Sequence, residues 1–221
     1  MRIVMIGPPG AGKGTQGALL AIHFNIPHIV MGDLLRDHVV RGTELGRVVR
    51  GHLDRGELVP DEIVLDLMRQ SHIAAKRAGG GFVLDGMPRT MNQARAKHKI
   101  ALGLGMTANV ALHLHADDEE LTHRLLVRAA IEHRSDDTEE IIRQRLELYR
   151  QASPPLLAWY RQRGILVSID AMRPAEEVGR GILAALKVVR PIVNSIPEEP
   201  CQPFRSSRPP PARDRRVHGA N

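Results

Sequence analysis

MRIVMIGPPGAGKGTQ, residues 1–16, divides into three pieces whose order decides the fold. RIVMI at 2–6 is a short apolar run, the pattern of a parallel strand buried on both faces. KGTQGALLAIHF at 13–24 follows helical spacing, with Leu19, Leu20, Ile22 and Phe24 as core candidates. Between them lies GPPGAGKGT, 7–15, where glycines at 7, 10, 12 and 14 let the backbone bend around an anion with its N–H groups inward. The helix that follows adds its positive N-terminal end. Gly10, Ala11, Gly12 and Gly14 are the candidate cradle, Lys13 reaches the outer phosphates, and Thr15 serves them or a magnesium ion. The general pattern places Ser or Thr directly after the lysine, whereas here Gly14 intervenes. A glycine turn without a ligand is the plain alternative, and the coincidence of glycines, lysine, strand and helix opposes it.

The rest of the chain repeats the alternation. Strands are expected at 28–30, 79–85, 109–115 and 164–170. Helices are expected across 32–58 (two, broken at Gly42), 61–76, 90–103, 118–131, from SDDTEE at 135–140 to about Arg163, and 174–187. In SDDTEE the cap is read as Ser or Asp. Five short apolar strands alternating with helices give an α/β fold, a five-stranded parallel sheet covered on both faces. From about 188 the composition changes: 188–221 holds seven of the fifteen prolines and six arginines, and reads as a disordered tail. It is either a weakly interacting extension or a segment that docks on a partner or anion.

The chain of 221 residues is 43% hydrophobic and 25% charged, ordinary for a globular protein, with aromatics at only 3%. The net charge of +6 comes from 26 Arg and 5 Lys against 25 acids. Polyanion binding is one reading; Arg-rich usage plus a basic tail is the plainer one. Cys201 is the single cysteine, so an internal disulfide and a cysteine zinc cluster are excluded. IVMI runs straight into glycine and proline, which fits neither a signal peptide nor a membrane span, so the cytoplasm is expected.

GxPGxGKGT is the loop form of nucleoside monophosphate kinases, and further segments resemble the adenylate kinase family in order and spacing. They are MGDLLR at 31–36, GELVPDE at 56–62, GFVLDGMPRTMNQA at 81–94, HRLLVR at 123–128, RSDDTEEIIRQRL at 134–146 and SPPLLAWY at 153–160. The resemblance covers about 1–187. It implies a P-loop NTPase-type core with an NMP-binding segment at 31–60 and a short lid at 129–135, and reversible transfer of the ATP γ-phosphoryl group to AMP. It implies that Arg36 and Arg89 hold the acceptor phosphate, that Arg128, Arg134 and Arg145 gather on the migrating group, and that Arg124 lies against the donor adenine. Lys13, Arg89, Arg128, Arg134 and Arg145 are then the catalytic set. Met31, Arg36, Glu57, Leu58, Val59, Gly86, Arg89, Gln93, Arg134 and Arg145 would meet AMP. Asp85, and less directly Asp33, would hold magnesium through water; helix capping is the alternative for Asp33. A short lid without cysteines excludes zinc. The expected partners are ATP and AMP, with no nucleic acid and no membrane, and the expected state is a monomer.

The arginines suit this chemistry because a planar, permanently charged fork binds phosphate oxygens in pairs, and two polyphosphates that repel each other need several. Two positions depart from the family: Met31 replaces a threonine before GDLLR, and Met87 replaces an aromatic. Methionine offers contact without a useful hydrogen bond, so acceptor specificity is either loosened, towards UMP, CMP or GMP, or simply repacked. His113 and His115 share one face of a strand, as a metal pair or as satisfied imidazoles. A catalytically weak nucleotide-binding protein and a nucleic-acid binder are the rival classes. The intact lysine and arginine set opposes the first, and the lack of an aromatic platform opposes the second.

Overall fold

The computed structural model describes the backbone of residues 1–132 and 138–193. Arg134, the end of the expected lid, Cys201 and the Pro/Arg-rich segment from 194 on lie outside the described residues.

Five strands form one parallel sheet: β1 (Arg2–Ile6), β2 (His28–Val30), β3 (Phe82–Asp85), β4 (Val110–His115) and β5 (Leu166–Asp170), in the order β2-β3-β1-β4-β5. The inner strands β1 and β3 carry apolar runs because both faces are covered, and β4 does so up to Leu112 before its two histidines. Alternation sorts their side chains. Val4, Ile6, Phe82, Leu84 and Ala111 enter one core with helices α2 (Met31–Val40), α3 (Glu44–Asp54), α4 (Asp61–Arg77) and α5 (Met91–Leu104). Ile3, Met5, Val83, Val110, Leu112 and Leu114 enter the other, with α1 (Lys13–Phe24), α6 (Asp118–Glu132) and α8 (Ala175–Val193). The long α7 (Glu139–Gln162) serves both: Ile142 and Leu146 pack in the second core, Leu156 and Tyr160 in the first.

Three expectations need correction. Leu19 and Ile22 are exposed; the buried face of α1 is Gln16, Gly17 and Leu20. The Gln16 amide donates to Ala175 O at 2.7 Å, so this helix docks on the start of α8 through a polar contact that hydrophobic periodicity does not register. The cap of α7 is Thr138, whose hydroxyl accepts from the Ile141 N–H at 3.4 Å, rather than Ser135 or Asp. Finally, α8 continues past Lys187 to Val193, with Pro191 inside it, so the compositional boundary at 188 falls within a helix.

Candidate active site

The C-terminal ends of β1, β3 and β4 point to one edge of the sheet, where α/β sheets bind ligands. The register sets Asp85 beside Met5 on one side and Val30 on the other. A cleft of about 980 Å³ opens there, at the upper end of the range for small-molecule sites. Gly10, Ala11, Gly12, Lys13, Gly14 and Thr15 line it, as do Asp33, Asp85, Arg124 and Arg128. Gly10 has φ +83°, and a Cβ on it would sit 2.9 Å from Leu121 O and 3.1 Å from Leu125 Cγ. Only glycine lets the loop pass under α6 this closely.

Lys13 folds back on its own loop, donating from Nζ to Gly7 O at 2.8 Å and Pro8 O at 2.7 Å. Burial, and then the like charges of Arg89, Arg145 and Arg128, bring its pKa from 10.5 down to about 8; Asp85 opposes the drop. An anion placed among these groups would relieve their mutual repulsion. Arg124 is held edge-on: Nε donates to Glu120 at 2.6 Å and Nη1 to Ala171 O at 2.9 Å. Asp85 is buried at the end of β3, with Gly14 beside it, a carboxylate suited to reach a nucleotide-bound cation through water. Asp33 lies in the first turn of α2 without capping it, and its carboxylate pairs with Arg36.

A second pocket adjoins the cleft. Met31, Leu35, Val59, Val64 and Met87 give it apolar walls, and Glu57, Leu58 and Gln93 also line it. Arg36, Gly86, Arg89 and Arg145 line both cavities. Arg89 is steadied by its Nε donating to Gly86 O at 3.0 Å. Gly56, at φ +65°, brings the α3–α4 turn onto α7: a Cβ there would sit 2.8 Å from Ile141 Cγ2 and 3.3 Å from Arg145 Cγ. Met31 and Met87 are 2% and 1% exposed and belong to the core as well as the pocket wall, which favours repacking over a lost polar reader. Of the expected site residues, Arg134 alone lies outside the described residues; the others line one or both cavities.

Some participants escaped the sequence reading. Glu120 and the Ala171 carbonyl orient Arg124, and Asp61 accepts from Gln93 Nε2 at 2.8 Å. None carries a local signal; Asp61 reads only as a first-turn acid. His113 bonds through Nε2 to Tyr149 OH at 3.0 Å and through Nδ1 to Ser168 Oγ at 3.4 Å, which occupies both its nitrogens. Burial holds its pKa down to about 4. Among the described residues, no three His, Cys, Asp or Glu side chains group as metal ligands, and no helix is long and apolar enough to cross a membrane.

Comparison with known proteins adds to this geometry. The family model described as adenylate kinase matches residues 5–165. A protein named adenylate kinase from Thermobifida fusca is 47% identical over 187 residues, 85% of this chain and 98% of that one. Its namesake from Thermus thermophilus is 42% identical, covering 84% and 97%. Another, from Nocardioides sp., is 41% identical, covering 86% and 98%.

Proposed function

The chain belongs to the adenylate kinase family, and from that premise we propose how its two cavities perform the transfer ATP + AMP = 2 ADP. The enzyme is a phosphotransferase with a phosphate group as acceptor. ATP lies in the larger cleft, its phosphates over the 7–15 loop and its adenine against Arg124. AMP lies in the smaller pocket, its base against the Met31–Val59–Met87 wall and its phosphate towards Arg36 and Arg89. The observation that carries this reading is the shared wall: Arg36, Arg89 and Arg145 front both cavities, so the same guanidinium groups meet both phosphate ends.

The chemistry follows from charge. An oxygen of the AMP phosphate forms a bond to the terminal phosphorus of ATP while the bond to the ADP oxygen breaks. That acceptor oxygen is already anionic, so no general base is needed, and positioning with charge neutralisation does the work. Lys13 turns from the Gly7 and Pro8 carbonyls to the phosphates, and Arg128 and Arg145 offset the charge spread over the migrating group. Magnesium, when bound with ATP, supplies further neutralisation of the phosphate oxygens; Asp85 is the residue that would hold it through water, with Asp33 nearer the rim. Zinc has no place in this reading, since the only cysteine is Cys201. Arg134 joins the reaction centre from the lid. The enzyme acts as a cytoplasmic monomer in nucleotide biosynthesis, with no nucleic-acid or membrane partner.

The test is a coupled assay with pure protein, ATP, magnesium and each of AMP, GMP, CMP and UMP. ADP formed fastest with AMP supports the reading. A fastest rate with another monophosphate reassigns the acceptor, and no ADP with any of them defeats the kinase.

A further inference from the structure

Gln93 is 2% exposed and its amide is held at both ends. Its Oε1 accepts from the Arg89 backbone N–H at 2.7 Å, and its Nε2 donates to Asp61 Oδ1 at 2.8 Å. These partners admit one orientation of the amide. A backbone N–H can only donate, so it must face the oxygen; a carboxylate can only accept, so it must face the nitrogen. Through Gln93 on α5 the two bonds join the turn after β3 to the first turn of α4, where Asp61 lies 32 residues before Gln93, at the wall of the acceptor pocket.

An amide offers two N–H donors and two acceptor lone pairs. One of each is committed, which leaves one of each for a ligand, in a fixed order. The geometry points to Asp61 as a positioning residue that sets base specificity by locking this order. The inference rests on the acceptor reading above. Adenine presents an N1 acceptor beside an N6 donor, which matches Gln93 with its nitrogen donating and its oxygen accepting. A 6-oxopurine presents an N1–H donor beside an O6 acceptor, the reverse order. To meet it, Gln93 must turn over, setting its nitrogen against the Arg89 N–H and its oxygen against the Asp61 carboxylate. The lock thus works by repulsion against the wrong base as well as attraction to the right one.

The experiment compares kcat/KM for AMP and inosine monophosphate, which differ only along this edge, in the wild-type chain, Asp61→Asn and Asp61→Ser. Asparagine and serine can each donate or accept, so either tolerates a turned amide while the Arg89 N–H remains. The wild type is expected to prefer AMP by roughly 10²-fold or more, the scale set by leaving buried polar groups unpaired. Both variants are expected to narrow that preference by about tenfold or more, largely by gaining on inosine monophosphate. A residue that merely stabilised α4 would slow both acceptors alike and leave the ratio in place. An unchanged ratio in variants that melt like the wild type overturns the role of Asp61 and leaves AMP as acceptor intact. A wild type without preference between the two acceptors overturns the lock while leaving AMP as an acceptor, and a wild type faster with inosine monophosphate overturns both.

Discussion

The two cavities meet at the same arginines yet are built in opposite ways. The larger cleft gathers Lys13, Arg36, Arg89, Arg124, Arg128 and Arg145 along its walls, and its lysine is driven down to about 8 by burial and by its neighbours. The smaller pocket holds its amide in one orientation: Gln93 has a partner at each end and buried methionines beside it. The first region concentrates positive charge around a buried lysine, where a bound anion would restore the ammonium. In the second the amide is oriented before any ligand arrives and, as proposed, it selects by shape and hydrogen-bond order. Rate should therefore be most sensitive in the cleft, and discrimination most sensitive in the pocket.

Replacing Lys13 by methionine separates the two regions most strongly. Turnover should fall by roughly 10³-fold, towards the upper end of what one preorganised charge donor supplies, and AMP-over-IMP selectivity in the residual activity should persist. Arg145→Ala should cost about 10²-fold in kcat, with KM rising for both nucleotides because this side chain fronts both cavities. Arg134→Ala should reach a similar loss of about 10²-fold if the lid delivers it to the migrating group. Steady-state kinetics with each substrate varied in turn read all three.

Proton linkage gives a further contrast. Folded Lys13 releases its proton near 8, whereas the unfolded lysine holds it to 10.5. Between those values the unfolded chain carries more protons, so this group makes stability rise with pH across that window. Lys97, likewise lowered to about 8 by burial, acts in the same sense, and the buried Tyr160, whose pKa burial pushes well above the usual phenol value, acts oppositely above pH 10. The Lys13 share is therefore the difference between wild type and Lys13→Met in urea unfolding between pH 8 and 10. ATP should flatten that difference, because phosphates restore the ammonium. Calorimetry at pH 8.5 in buffers of different ionisation enthalpy should show proton uptake on ATP binding to the wild type and less to the variant.

The smallest effect on function belongs to Met31. Met31→Thr, which places the family's usual hydroxyl in the pocket, should shift selectivity among monophosphates by no more than about threefold, the worth of less than one neutral hydrogen bond. It should cost roughly 1–3 kcal/mol of stability, because Met31 is core. A large change in base preference on this substitution would make Met31 a specificity residue.

The strand, glycine loop and helix of residues 1–24 were legible because phosphate chemistry leaves a local pattern of glycines and a lysine. The inner strands were legible because strands buried on both faces are mostly apolar. What escaped depends on partners far apart in sequence. Gln16 replaces Leu19 and Ile22 on the buried face of α1 because its amide finds the Ala175 carbonyl, 159 residues away. The Asp61–Gln93 and Arg124–Ala171 contacts span 32 and 47 residues. The end of α8 was misplaced because proline and arginine composition shifts before the helical hydrogen bonding stops. For Arg145, on the charged surface of α7, only the resemblance in spacing to Arg134 distinguished it from ordinary helix charge.

The proposed transfer depends on separate elements delivering cations to the junction of two nucleotides. A crystal structure with a bisubstrate mimic, two adenosines joined by a polyphosphate, tests this directly. Arg36, Arg89, Arg128 and Arg145 should each contact a phosphate oxygen, with Lys13 turned from the Gly7 and Pro8 carbonyls onto the chain of phosphates. A mimic bound with Lys13 still on those carbonyls and Arg89 and Arg145 clear of the phosphates would contradict it.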